Sequence, residues 1–269
     1  MSPRVLSFAA VLIVFALASA DARAVAADLS ARDIMEKNFF VSKLKSMKAE
    51  ASMALVNDKG QKRERKSQNI VKLQSNGIDS RVLVKFDAPN DIKGTSFLQL
   101  EHSDGDDDLW IYLPALKKSR RLVASNKKDS FVGSDFSYGD ILLPKVDLYR
   151  HTLVRSEPIE NQECFVIESV PANDTVKANS GYSKKITWVR KDNFLEHKVE
   201  YFDLSGRLLK TQTITEHKLV EPDTQRWFAL HREMTNHQTG HRTDFRFNKL
   251  EPGLPVADEL FSTRYLERE

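Results

Sequence analysis

Between Met47 and Leu55 apolar and polar residues alternate: Met47, Ala49, Ala51, Met53 and Leu55 interleave with Lys48, Glu50 and Ser52. A period of two is that of a strand with one buried face. Similar stretches follow at 66–75, 79–87, 95–102, 109–113 and 120–125. They resume at 148–157, 162–170, 182–190, 194–203, 207–219, 225–236 and 241–250. Turn residues separate them, among them Asp58-Lys59-Gly60, Asn76-Gly77, Ser205-Gly206 and Thr239-Gly240. Three places read otherwise. Ser30 with Asp33 marks a helix start, and Ile34, Met35, Phe39, Phe40 and Leu44 carry an apolar stripe to about Lys45. Val256–Phe261 predicts a short closing helix. From Asn126 to Pro144 the pattern is irregular, which is long for a loop in a compact domain and typical of functional loops.

So many strands cannot stay flat and open; the sheet must twist, curl and cover its inner face. The pattern predicts a mainly β (α+β) fold, a half-open antiparallel barrel of about eleven strands with helices over its concave side. No change of composition marks a linker, so residues 28–269 form a single domain. Wide barrels of this kind hold ligands inside. One stretch stands out, DDLWIYLPALKKSRRL from Asp107 to Leu122. Every residue from Leu109 to Leu113 is apolar, so the strand is greasy on both faces. Beside it lie Lys117, Lys118, Arg120 and Arg121. Arg120 and Arg121 cannot share a face, so one of them is expected inside, where it needs a partner.

Composition narrows the picture. The chain has 269 residues, 41% hydrophobic, with 41 Lys and Arg against 38 Asp and Glu, a net charge of +3. That balance excludes a dedicated nucleic-acid binder, which would segregate a basic face. Arg4, the apolar run Val5–Ala18 and the small residues after it form a secretory signal peptide, residues 1–27, with cleavage near 20–27. The run is short for a membrane span, which needs about 20 residues. The single cysteine, Cys164, permits no disulfide within the chain, and no cysteine follows the apolar run to carry a lipid. An exported chain with one core thiol suits the periplasm.

Chemistry is sparse. His237 and His241 bracket a hairpin turn rather than sharing a helix face. The run Ser103–Asp108 invites calcium, but the loop pattern wants Gly at position six and Glu at twelve; counted from Asp104 these are Leu109 and Ala115. There is no G-x-S-x-G elbow, no phosphate loop and no dinucleotide fingerprint. The expectation is no catalytic residue, no metal and no cofactor.

The run from Trp110 to Asp140, WIYLPALKKSRRLVASNKKDSFVGSDFSYGD, carries a resemblance. W-x-Y-x-P-A-L-K-K-x-R-R followed by S-F-x-G-S-D-F-S-Y-x-D resembles the outer membrane lipoprotein-sorting proteins, relatives of the LolA and LolB carriers. Gly139 departs from the pattern, which has a bulkier and often acidic residue there. The resemblance implies a LolA-like half-open barrel with a helical lid. It implies a periplasmic, monomeric carrier for lipoprotein acyl chains or lipid, in transient contact with membranes. An RND-type inner-membrane transporter or an outer-membrane acceptor would be its partner. Trp110, Tyr112, Phe131, Phe136 and Tyr138 become the expected lipid contacts, although Trp110 and Tyr112 also suit a core, and the other three suit either a flap or core filling. Lys117, Lys118, Arg120 and Arg121 become the expected contact for a partner or head group, or a solvated turn. Asp135 and Asp140 are expected to clasp the irregular loop by pairing with the inward arginine. The alternative function is an adaptor of an RND-type transporter with no cargo of its own.

Overall fold

The structure, a computed structural model, describes residues 29–143 and 145–268, so the signal peptide expected at 1–27 lies outside the described residues. Each alternating stretch becomes a strand, which makes thirteen where about eleven were expected. The first six are β1 (Ser46–Val56), β2 (Lys62–Leu73), β3 (Ser80–Ala88), β4 (Ser96–Leu100), β5 (Asp108–Leu113) and β6 (Lys118–Leu122). The rest are β7 (Tyr149–Ile159), β8 (Gln162–Pro171), β9 (Lys184–Arg190), β10 (Glu196–Phe202), β11 (Leu208–Glu221), β12 (Arg226–Asn236) and β13 (Arg242–Pro252).

They form one sheet in the order β6-β5-β4-β3-β2-β1-β13-β12-β11-β10-β9-β8-β7. Every neighbour is antiparallel, and β1 meets β13 at the centre, from Met47 opposite Pro252 to Val56 opposite Arg242. The sheet curls. Phe97 and Leu109 from one wing share a buried cluster with Val199, Tyr201 and Ile214 from the other. β12 and β13 pair only between His231–Thr235 and Arg242–Arg246, so their remaining halves splay.

Helix α1 (Ala31–Val41) starts as its sequence predicts: the Ser30 side chain accepts from the Asp33 N–H, and Asp33 accepts from the Ser30 N–H. It stops at Val41 rather than near Lys45, because Lys43 turns inward to Glu101 at the end of β4, with Nζ 2.7 Å from Oε1. Ile34 and Met35 pack on Phe165, Ile167 and Val189 of β8 and β9, which lays α1 over the concave face. The closing segment is a 3₁₀ turn, Asp258–Phe261, followed by a further helical turn, Thr263–Leu266.

Strand β5 is apolar on both sides because both sides are covered. Leu109 and Ile111 face the concave core with Leu113 packed beside them. Tyr112 lies in a convex-side cluster with Leu83, Leu98, Val256, Phe261 and Leu266, and Trp110 packs against it. The closing segment is therefore a second cover, on the outside of the sheet.

Candidate functional site

The chain from Val123 to Leu148 joins the two edge strands and crosses the opening of the barrel. Its first part, Val123–Tyr138, seals one end. Phe131 and Phe136 are fully buried. Phe131 packs against Phe86, Phe97 and Tyr138 with ring centroids 5.5–5.9 Å apart. Phe136 meets Phe245 edge-on at 6.1 Å. Gly133, at φ +74, lets the turn pass over the Arg65 guanidinium, which would stand 3.3 Å from any Cβ there. Gly139 has a separate reason: a Cβ would come within 3.1 Å of the Lys127 carbonyl oxygen.

A buried polar knot fastens this segment. Lys210 Nζ donates to Asp140 Oδ2 at 2.6 Å and to the Asp135 carbonyl at 2.9 Å. Tyr182 donates its hydroxyl to Asp140 at 3.0 Å, and the Ser137 N–H donates to Asp140 at 2.7 Å. Thr243 Oγ1 donates to Asp135 Oδ2 at 2.7 Å. Burial alone would raise the Asp140 carboxyl, but Lys210, Lys185 and these hydrogen bonds outweigh it and hold it below its ordinary value. The partners are Lys210, Tyr182 and Thr243, not an arginine of β6. Arg120 and Arg121 are both exposed, and Arg121 pairs with Asp108 at the surface. An edge strand tolerates this because its outer side has no neighbour, and charge there discourages edge pairing. The acidic turn after β4 also holds the loop: Asp107 lies 3.1 Å from Lys145.

Behind the seal the concave face holds three adjoining compartments. The apolar one encloses about 950 Å³ including its mouth. Leu44, Met47, Val84, Phe228, Phe245 and Phe247 line it beside the splayed halves of β12 and β13. The second, about 920 Å³, lies under α1 and is more polar. Lys185, Glu196, Gln212, His217 and Arg232 line it with Phe39, Leu195 and Ile214. Ala229, Arg232 and Leu143 border both. A third opens outward from Lys185 and Tyr149 toward Val176 and Asn179.

None of the five residues expected to touch lipid lines these compartments. Trp110 and Tyr112 lie on the convex face, and Phe131, Phe136 and Tyr138 are packed into the seal. Phe136 also borders a small groove beside Lys210 and Asn236. Lys117 and Lys118 are exposed at the β5–β6 turn, beside Leu116, which is 69% exposed.

The polar lining was not anticipated. Lys185 and Thr187 are in phase with buried Val189, and Arg232 with buried Met234, so charges on an inward face were the available signal. Glu196 was masked by a register irregularity between Glu196 and Lys198 that breaks the alternation. Burial pushes the Glu196 carboxyl above its ordinary value, against the pull of Arg232 and Lys185. Burial also brings His217 down to about 4. The Arg190 Nη1–H donates to its Nδ1 at 3.2 Å, which leaves Nε2 to donate to the Glu196 carbonyl at 3.1 Å, the pattern of a neutral ring.

Over 88% of this chain and 98% of the other, the fold matches a Vibrio parahaemolyticus domain named for outer membrane lipoprotein sorting, at 33% identity and TM-score 0.80. The chain belongs to the outer membrane lipoprotein-sorting protein family. A DUF1329 family protein from Desulfovibrio piger, 28% identical, matches over 88% of this chain and 97% of its own with TM-score 0.79. A LolA superfamily protein from Nitrosomonas europaea, 20% identical, matches over 88% and 99% with TM-score 0.67 and shows the shared fold. A family model described as an uncharacterized protein matches residues 79–268. No curated protein matches the sequence. Among the described residues no helix of this family member is long and apolar enough to cross a membrane. Nor does any group of three or more His, Cys, Asp or Glu among them stand close enough to hold a metal.

Proposed function

We propose that this protein is a periplasmic carrier that holds acyl chains of a lipoprotein or lipid in its concave cavity and moves them between envelope membranes, without a catalytic step. The observation that carries this reading is the apolar compartment under the end of α1, lined by Leu44, Met47, Phe228, Phe245 and Phe247. Each CH₂ moved out of water contributes about 0.8 kcal/mol, so a chain of some sixteen carbons contributes roughly 12 kcal/mol before ordering costs. The apolar run after Arg4 and the lone Cys164 support export to the periplasm. A family member named for lipoprotein sorting supports the cargo class. In this reading Lys117, Lys118 and Leu116 form the tip that touches a membrane surface, and Trp110 and Tyr112 hold the outer cover in place.

The test is native mass spectrometry of protein exported to the periplasm and purified without detergent, followed by solvent extraction. Co-purifying lipid or acylated peptide is the expected result. Ala229→Trp, which fills the border of the two inner compartments, should abolish it while the circular dichroism spectrum is unchanged. A folded protein that stays empty after incubation with inner-membrane lipid and acylated peptides would overturn the reading in favour of a transporter adaptor.

A further inference from the structure

Two donors in the polar compartment lack partners that their burial demands, and a lysine beside them lacks a counter-charge. Gln212 is 1% exposed; its Oε1 accepts from the Tyr201 hydroxyl at 2.8 Å, but its Nε2 is buried with no hydrogen-bond partner. The Arg232 Nε is likewise buried and unpartnered. Among the described residues neither Arg232 nor Lys185 has a carboxylate oxygen within 4.0 Å. Lys185 Nζ instead stands 5.2–5.3 Å from the ring centroids of Tyr149, Tyr182 and Tyr201. Unsatisfied buried donors are costly, which makes each a place where an acceptor would be gained.

The strand register brings them together. Lys185 on β9 lies opposite Tyr201 on β10, Gln212 on β11 opposite Val199 on β10, and Arg232 on β12 opposite Ile214 on β11. The three donors thus step across four adjacent strands of one concave face. Arg232 stands where this compartment meets the apolar one.

We propose that Lys185, Gln212 and Arg232 receive the singly charged anionic head group of an acyl cargo, with the chain passing Arg232 into the apolar compartment. The proposal rests on the carrier reading and names the chemistry of its cargo. The charge count sets the valence. Lys185 and Arg232 contribute two positive charges and Glu196 one negative, while Asp140 is committed to Lys210 and Lys145 to Asp107. His217 is neutral near pH 7. One uncompensated positive charge suits a carboxylate or a phosphodiester, each with a single negative charge. A neutral ester head would leave it unmatched, and a doubly charged phosphate would crowd Glu196.

The test measures binding of four probes to the full exported protein, freed of co-purified lipid: palmitate, lysophosphatidylglycerol, monopalmitoylglycerol and inorganic phosphate. At least one anionic amphiphile should bind tenfold or more tighter than neutral monopalmitoylglycerol, and which of the two does so tells carboxylate from phosphodiester. Arg232→Met and Lys185→Met should each lower the anionic affinity about tenfold and change the neutral one by less than twofold, with Arg232→Lys recovering part of the loss. Gln212→Leu, which keeps the side-chain volume, is a second variant should either Met substitution fail to fold. Equal affinity for neutral and anionic amphiphiles, or variants that weaken both alike, would overturn the head-group site and leave the carrier standing. Inorganic phosphate binding as tightly as the amphiphiles would mean a free-anion site and overturn the link to a chain. Failure of all four probes would remove the carrier reading and the site with it.

Discussion

The ion pair between Lys43 and Glu101 offers the sharpest test of how the cover over the cavity is held. The side chains are 0% and 4% exposed. Lys43 Nζ donates to Glu101 Oε1 at 2.7 Å, the Ser80 N–H donates to Glu101 Oε2 at 2.8 Å, and the ammonium lies 4.2 Å from the Phe39 ring centroid. Burial pushes the Lys43 ammonium below its ordinary value while Glu101 supports its charge. Lys43→Met removes the cation and leaves a buried carboxylate with a backbone donor for company. Breaking one side of such a pair costs about 3–5 kcal/mol. In a domain of this size each kcal/mol lowers Tm by about 2–4 °C, so Tm should fall by roughly 6–20 °C. The double variant Lys43→Met/Glu101→Met removes both charges, and replacing a whole buried pair with apolar groups is often neutral or stabilising. It should recover most of the loss. Thermal and urea unfolding followed by circular dichroism, with hydrogen exchange across Ala31–Val41, would measure both. A single variant that costs under about 1 kcal/mol, or a double variant no better than the single, would refute the reasoning.

Three further outcomes are expected. His217 titrates near 6.5 in the unfolded chain and at about 4 when folded, so between those values the unfolded state holds the extra proton. Stability should fall as pH drops from 6.5, by about 3 kcal/mol at pH 4, and His217→Gln should flatten that slope in urea midpoints. Asp140→Asn leaves Lys210 buried without a counter-charge and should cost about 3–5 kcal/mol. In the unchanged protein the depressed Asp140 carboxyl contributes in full above the ordinary aspartate range, near 3.9, and is lost only as pH falls through its lower folded value, which a pH series on both proteins would show. Cys164 is fully buried and its thiol is pushed up to about 11, so a maleimide at neutral pH should label it only after guanidinium unfolding.

Much of this fold is legible in the alternation of residues. The strands, the Ser30–Asp33 helix start and the irregular bridge after Asn126 all follow from local pattern, because each depends on neighbours close in sequence. What stays hidden depends on which side of the sheet becomes the inside. Trp110 and Tyr112 alternate with Leu109 and Ile111, and nothing local says which pair faces the cavity. The answer comes from Val256, Phe261 and Leu266, far along the chain, which cover the convex face. The cavity charges were hidden for a second reason. Irregularities at Glu196 and at Glu216, where φ is +55, shift the phase of β10 and β11. Side chains beyond such a break turn to the other face. The clasp partner Lys210 is one more β11 lysine by sequence, and only the curl of the sheet brings it to Asp140.

The strand order has a consequence for how the chain assembles. Eleven of the twelve neighbouring pairs join strands consecutive in sequence, and only β1 with β13 does not. Each wing, β1–β6 and β7–β13, is thus a meander that can zip from one hairpin to the next at low loop-closure cost. The central seam brings together residues about two hundred positions apart, and it should be the slow step of folding. Until it forms, both central strands are open edges, and the cavity does not yet exist. The concave cavity is therefore the last part of the molecule to be made, and nothing can be held in it before β1 has met β13.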